Sequence, residues 1–156
     1  MRILVISDTH GRVEKARELI REKGPFDLGV HLGDFAEDAK RLERETGLEF
    51  RFVKGNMDGG TKEDFSILST DGGDILLVHG HIQGVKRDLT ALMYTVEEKG
   101  CKGAFFGHTH VPFLREEAGL YLLNPGSLSL PHLDKRGSYA IVQTGKGRLD
   151  GTICYI

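Results

Sequence analysis

Apolar positions along the chain fall into two rhythms. The run Ile3-Leu4-Val5-Ile6 is apolar without interruption, the pattern of a strand buried on both faces, and it predicts a strand over 2–7. Val13, Ala16, Leu19 and Ile20 then recur at helical spacing with charges between them, and Gly24-Pro25 ends a helix predicted over 12–23. A short strand over 28–32 follows. Phe35, Ala36, Ala39 and Leu42 mark a second amphipathic helix that stops near Gly47, and 49–53 alternates into a third strand. This β-α-β-α-β order predicts a parallel sheet with right-handed crossovers.

Beyond residue 60 the pattern turns richer in strands. Segments 65–69 and 74–78 flank Asp71-Gly72-Gly73, a hairpin signal. Val85, Leu89, Leu92, Met93 and Val96 form one helical stripe closed by Gly100. Short strands are expected at 104–106, 113–115, 120–123, 139–143 and 151–155. Without repeats or a linker, the expectation is a single domain over 1–156, with two packed sheets and helices on their outer faces.

Composition narrows the class of function. At 156 residues a chain can bury about two-thirds of its unfolded surface, enough for its own core. Lys and Arg number 21 against 23 Asp and Glu, so bulk charge gives no attraction to nucleic acid. The apolar runs are too short to span a bilayer. The first of them halts at Ser7-Asp8, which predicts no secretory leader. Two cysteines, Cys101 and Cys154, without a CxxC pattern suit a reducing compartment, and the expected location is the cytoplasm.

Five polar motifs interrupt this scaffold: Asp8-Thr9-His10, Gly33-Asp34, Gly55-Asn56-Met57-Asp58, His79-Gly80-His81 and Gly107-His108-Thr109-His110. Taken singly, several of them read as turns or helix caps. Taken together, each follows the end of a predicted strand, where open α/β sheets form their ligand sites. Five of the seven histidines lie in them. Asp oxygen, imidazole nitrogen and an Asn carbonyl, with no thiolate, suit Mn, Fe, Co, Ni or Zn rather than Ca or Mg alone. Seven such donors exceed what one catalytic ion uses, and two ions sharing a bridging carboxylate would use them all. A pair of divalent cations roughly 3.5–4 Å apart stabilises both the attacking and the leaving oxygen in phosphoryl displacement. Of the two remaining histidines, His31 is expected to be a hydrogen-bonded core residue and His132 a surface-loop residue.

The ordered series Asp-x-His, Gly-Asp, Gly-Asn, His-Gly-His and Gly-His-Thr-His, with Asn124-Pro125-Gly126-Ser127 further on, resembles the calcineurin-like metallophosphoesterases. More narrowly, it is similar to their small single-domain phosphodiesterase branch in bacteria and archaea. The resemblance implies an α/β four-layer α-β-β-α sandwich of two mixed sheets, with a dinuclear centre at its edge. It implies that Asp8, His10 and His110 hold one ion, that Asp34 bridges, and that Asn56, His79 and His108 hold the second. His81 falls outside this ligand set and is expected behind the ligands or facing substrate. Manganese is the first expectation for the two divalent ions, with nickel, cobalt, iron and zinc also suited.

One departure bears on mechanism. Many members of the wider family carry histidine after the Gly-Asn to assist the leaving group, and Met57 stands there. A thioether neither donates nor usefully accepts a proton at neutral pH. The expected reaction is hydrolysis of a small phosphodiester by in-line attack of a hydroxide held between the ions. A phosphomonoesterase and a non-catalytic scaffold of the same fold are the alternatives. The lack of an evident arginine clamp for a dianion favours the diester. Neither a membrane nor a nucleic acid is an expected partner, and a homo-oligomer is left open. Specificity is expected in the loops 59–64 and 84–86.

Overall fold

A computed structural model of the chain describes residues 1–60, 64–132 and 136–156. The middle of the 59–64 loop therefore lies outside the described residues. Elements are numbered in chain order. The first sheet runs β10-β9-β1-β2-β3 and is built from β1 (Arg2–Ile6), β2 (Leu28–His31), β3 (Phe50–Phe52), β9 (Ser138–Gly145) and β10 (Arg148–Tyr155). The second runs β4-β5-β6-β8-β7, from β4 (Phe65–Thr70), β5 (Gly73–Val78), β6 (Gly103–Phe105), β7 (Pro112–Glu117) and β8 (Leu120–Pro125). Helices α1 (Glu14–Lys23), α2 (Glu37–Thr46) and α3 (Thr90–Glu98) complete the chain's described elements.

Strand faces explain the layering. Ile3 and Val5 pack into a cluster with Ile75, Leu77, Phe105 and Leu123 of the other sheet. Leu4 and Ile6, pointing the opposite way, join Ala16 and Leu19 of α1 and Ala39 and Leu42 of α2. Leu76 and Val78 likewise turn from the inter-sheet cluster towards Leu92 and Val96 of α3. Three apolar clusters separate four layers, helix-sheet-sheet-helix, as the resemblance implies. Burying one such side chain contributes about 1.5–3 kcal/mol relative to leaving it exposed. The uninterrupted apolar run of β1 is thus what a strand covered on both faces requires.

Two parallel cores set the direction of the loops. In the first sheet β1, β2 and β3 are parallel, with Ile3 opposite Leu28 and Gly29 opposite Phe50. In the second, β5, β6 and β8 are parallel, with Leu76 opposite Ala104 and Ala104 opposite Leu122. The polar motifs therefore leave the carboxyl ends of β1, β2, β3, β5 and β6.

Helix starts differ from the sequence pattern. The stripe from Val85 predicts a helix there, yet α3 begins at Thr90. Gly84 takes a left-handed φ of 62° and the Thr90 amide donates to Asp88 Oδ1 at 3.0 Å, so the segment before the helix is turned and capped. Val85 is buried all the same, as a turn residue. Helix α2 is delayed to Glu37 because Asp34 and Phe35 both adopt left-handed backbone, at 55° and 73°.

Candidate metal centre

Each donor is presented by a strand-end loop, and the backbone there is unusual. Asp8, His10, Asp34, His108 and His110 all have positive φ, between 48° and 69°. Non-glycine residues rarely adopt this region, and its cost of about 1–3 kcal/mol each is met where surrounding structure over-determines the conformation. Close approach is secured by glycine. A Cβ at Gly55 would collide with the Asp34 carboxylate, and one at Gly107 with Ser7 Oγ and Asp8 Oδ2.

Hydrogen bonds then aim the ligand atoms. Asp8 is buried, and its Oδ2 accepts from Ser7 Oγ at 2.5 Å and from the His108 amide at 3.2 Å. That leaves Oδ1 turned inward, 3.1 Å from His110 Nε2 but without a hydrogen bond of proper geometry. His10 Nε2, 3.9 Å from Asp34 Oδ2, is likewise buried and unpartnered. One ligand atom from each of Asp8, His10, Asp34 and His110 lies within 4.8 Å of the others, close enough to share one cation.

A second gathering adjoins it. His79, fully buried, donates Nδ1–H to the Leu32 carbonyl at 2.7 Å. Neutral His79 therefore carries its lone pair on Nε2, which faces Asn56 Oδ1 at 3.1 Å and Asp34 Oδ1 at 3.5 Å. The Met57 amide also donates to Asp34 Oδ1, at 3.0 Å, so the three side chains are held against one another. The His108 ring lies 5.0 Å from that of His79, and His81 lies 5.4 Å from His79 and 6.1 Å from His108. Asp34 approaches histidines of both gatherings, His10 at 3.9 Å and His79 at 3.5 Å, and Asp8 Oδ1 also comes within 3.9 Å of His79 Nε2. The first sheet supplies Asp8, His10, Asp34 and Asn56, and the second supplies His79, His108 and His110.

Burial and neighbouring charges shift these groups in different directions. Burial and the neighbouring His79 push His108 down to about 4, so it is neutral at physiological pH. Burial and His79 also lower His81, and the buried Nδ1 of His81 has no hydrogen-bond partner. His110 moves up, because Asp8 Oδ1 stands beside its Nε2 while its Nδ1–H is committed to the Leu130 carbonyl at 2.7 Å. Burial alone would raise Asp8, but His110, His79 and Ser7 outweigh it and hold the carboxyl low.

Sequence reading left several supporting residues unassigned. Asp58, which reads as part of an Asp-Gly-Gly turn, accepts the Ala36 amide at 2.9 Å and the Gly55 amide at 2.8 Å, tying the Asp34 and Asn56 loops together. Asn124 donates to the Gly107 carbonyl and Thr109 Oγ1, and Ser127 Oγ donates to the Asp8 carbonyl. Beneath Asp8 runs a relay. The Gly33 amide donates to His31 Nδ1 at 3.2 Å, so Nε2–H donates to Thr9 Oγ1 at 2.8 Å, and Thr9 donates to Asp38 Oδ2 at 2.6 Å. His31 is indeed a hydrogen-bonded core residue, and Thr9 and Asp38 are partners that no local signal reveals.

This relay makes a measurable prediction. Burial lowers His31 from 6.5 to about 4, despite the opposing charge of Asp38. The unfolded chain takes up a proton below pH 6.5 and the folded chain only near pH 4. Stability is therefore complete above pH 6.5 and falls as pH drops towards 4, by about 3 kcal/mol for this group. The raised His110 acts in the window above 6.5 and leaves this slope alone. Thermal midpoints of the metal-free protein between pH 7 and 4.5 are expected to fall more steeply in wild type than in His31→Gln. Equal slopes would remove His31 from the account.

Comparison with known proteins places this arrangement. Residues 1–147 match the family described as the calcineurin-like phosphoesterase superfamily domain. The chain is 35% identical over 144 residues to the probable metallophosphoesterase YsnB of Bacillus subtilis, covering 91% of this chain and 83% of that protein. Among solved structures, it matches a predicted phosphoesterase from Streptococcus pneumoniae with a TM-score of 0.83 at 28% identity, over 99% of this chain and 88% of the other. The zinc complex of Vps29 from Entamoeba histolytica shares the fold, with a TM-score of 0.77 at 22% identity over 99% of both chains.

Proposed function

This chain belongs to the calcineurin-like phosphoesterase superfamily, and from that premise we propose that it hydrolyses small phosphodiesters at a centre of two divalent cations, manganese first among them. Asp8, His10 and His110 hold one ion in this reading, Asn56, His79 and His108 the other, and Asp34 spans both. The observation that carries it is the convergence of buried ligand atoms: Asp8 Oδ1 and His10 Nε2 have no hydrogen-bond partner, and one atom from each of Asp8, His10, Asp34 and His110 lies within 4.8 Å of the others. Donor sets of this kind fit a borderline transition-metal ion.

When bound, such ions lower the pKa of water towards about 7 and neutralise charge on phosphoryl oxygens. The chain's own part is positioning. Backbone carbonyls of Leu32 and Leu130 fix the tautomers of His79 and His110, as ligating histidines require. Phe35 and Met57, exposed beside Asp34 and Asn56, offer no charge to a second phosphoryl anion, which favours a monoanionic diester over a dianionic monoester. Met57 cannot protonate the leaving group, so departing groups of low pKa are favoured.

The deciding experiment compares bis(p-nitrophenyl) phosphate with p-nitrophenyl phosphate on the manganese-loaded protein, with and without chelator. The expected result is a kcat/KM at least about tenfold higher for the diester, a transition-state difference of about 1.4 kcal/mol, abolished by chelation. A preference for the monoester would overturn diester specificity. Two bound ions with no turnover of either substrate would leave a metal-binding scaffold.

A further inference from the structure

Beside the ligand loops, on the α3 side of the second sheet, lies a cleft of about 540 Å3. Its walls are apolar, made by Val85, Leu89, Phe106, Val111 and Phe113, with the Phe106 and Phe113 rings 6.2 Å apart and tilted by 57°. Two of its polar lining residues, Thr109 and His132, adjoin the histidine loop. Thr109 lies between His108 and His110 in the chain, with its Oγ1 accepting from the Val111 amide and Asn124, so that wall is fixed. The His132 amide donates to the His110 carbonyl at 3.4 Å. Lys86 lines the same cleft.

The cleft thus borders the loop that carries His108 and His110, with Lys86 on its polar side and apolar walls beyond. Its volume falls within the range of about 300–1,000 Å3 typical of small-molecule sites. A methyl or short polar ester would leave most of it to water. We infer that the cleft receives an apolar, aryl-sized ester arm of the phosphodiester, with Lys86 facing the phosphate's negative charge. This rests on the phosphodiesterase reading and adds to it a substrate class. His132, expected from sequence on a surface loop, is exposed yet lines this cleft, and the 84–86 loop expected to set specificity supplies Val85 and Lys86.

Two non-chromogenic diesters test it. Diphenyl phosphate and dimethyl phosphate are compared as competitive inhibitors of bis(p-nitrophenyl) phosphate turnover, and as ligands of the metal-free protein by methyl NMR. Diphenyl phosphate is expected to inhibit with a Ki at least about tenfold lower, given its larger apolar burial, and to shift the Val85, Leu89 and Val111 methyl signals. Val111→Trp, which fills the cleft, should erase the advantage while the dimethyl phosphate Ki stays put. Leu89→Ala should reduce the advantage if the tryptophan variant does not fold. Equal inhibition by the two diesters, with those methyl signals unmoved, overturns the assignment. If no diester is turned over but diphenyl phosphate still moves the three residues, the cleft stands and the phosphodiesterase reading falls.

Discussion

Asp34→Asn is expected to lower aryl phosphodiester turnover by well over 100-fold, beyond the roughly 10–100-fold typical of losing a ligand's outer partner, and to lower the bound metal. The substitution keeps size and one carbonyl oxygen but removes the charge. Asp34 Oδ2 lies 3.9 Å from His10 Nε2 and Oδ1 lies 3.5 Å from His79 Nε2, so a single carboxylate serves both gatherings. Its position is heavily specified. The backbone is left-handed at 55°, the Met57 amide donates to Oδ1 at 3.0 Å, and Gly55 leaves room for the carboxylate. Metal analysis beside turnover reads the result. Two ions retained with near-normal rate would show that Asp34 does not bridge.

Met57→His is expected to act in the opposite direction, and selectively. A positioned general acid contributes about 10²–10⁴-fold, and the gain should appear with alkyl leaving groups while p-nitrophenyl esters change little. Met57 is 62% exposed on the loop whose amide holds Asp34, so a polar ring there displaces no core. The measurement is log kcat against leaving-group pKa. Wild type should show a steep negative slope and the variant a shallower one. A flat wild-type line would mean that a proton already arrives from elsewhere, with His81 the first residue to replace.

Much of this molecule is readable from the chain because two signals are local. Helical and strand periodicities expose the layers, since Ile3-Leu4-Val5-Ile6 must be covered on both faces and the α1 and α2 stripes on one. The placement of polar motifs at strand ends reports where ligands gather, given parallel strands. What escaped is non-local. Nothing near Asp58 shows that it reaches back to Ala36, and nothing near Thr9 reveals Asp38, 29 residues on. The apolar stripe from Val85 to Val96 does not reveal that its first turn is unwound, because a buried turn residue and a buried helix residue look alike. Positive φ at the aspartates and histidines is equally silent, since these residue types tolerate it without glycine's signature.

The division of donors between the two sheets has a consequence for endurance as well as for chemistry. In the proposed centre four donors hang from one half of the sandwich and three from the other, so bound cations would rivet the halves together along one rim. Ligands held only by the folded state raise its melting point with their concentration. On that reading the heat tolerance of this protein should track the supply of divalent metal, and starvation for it would loosen that rim.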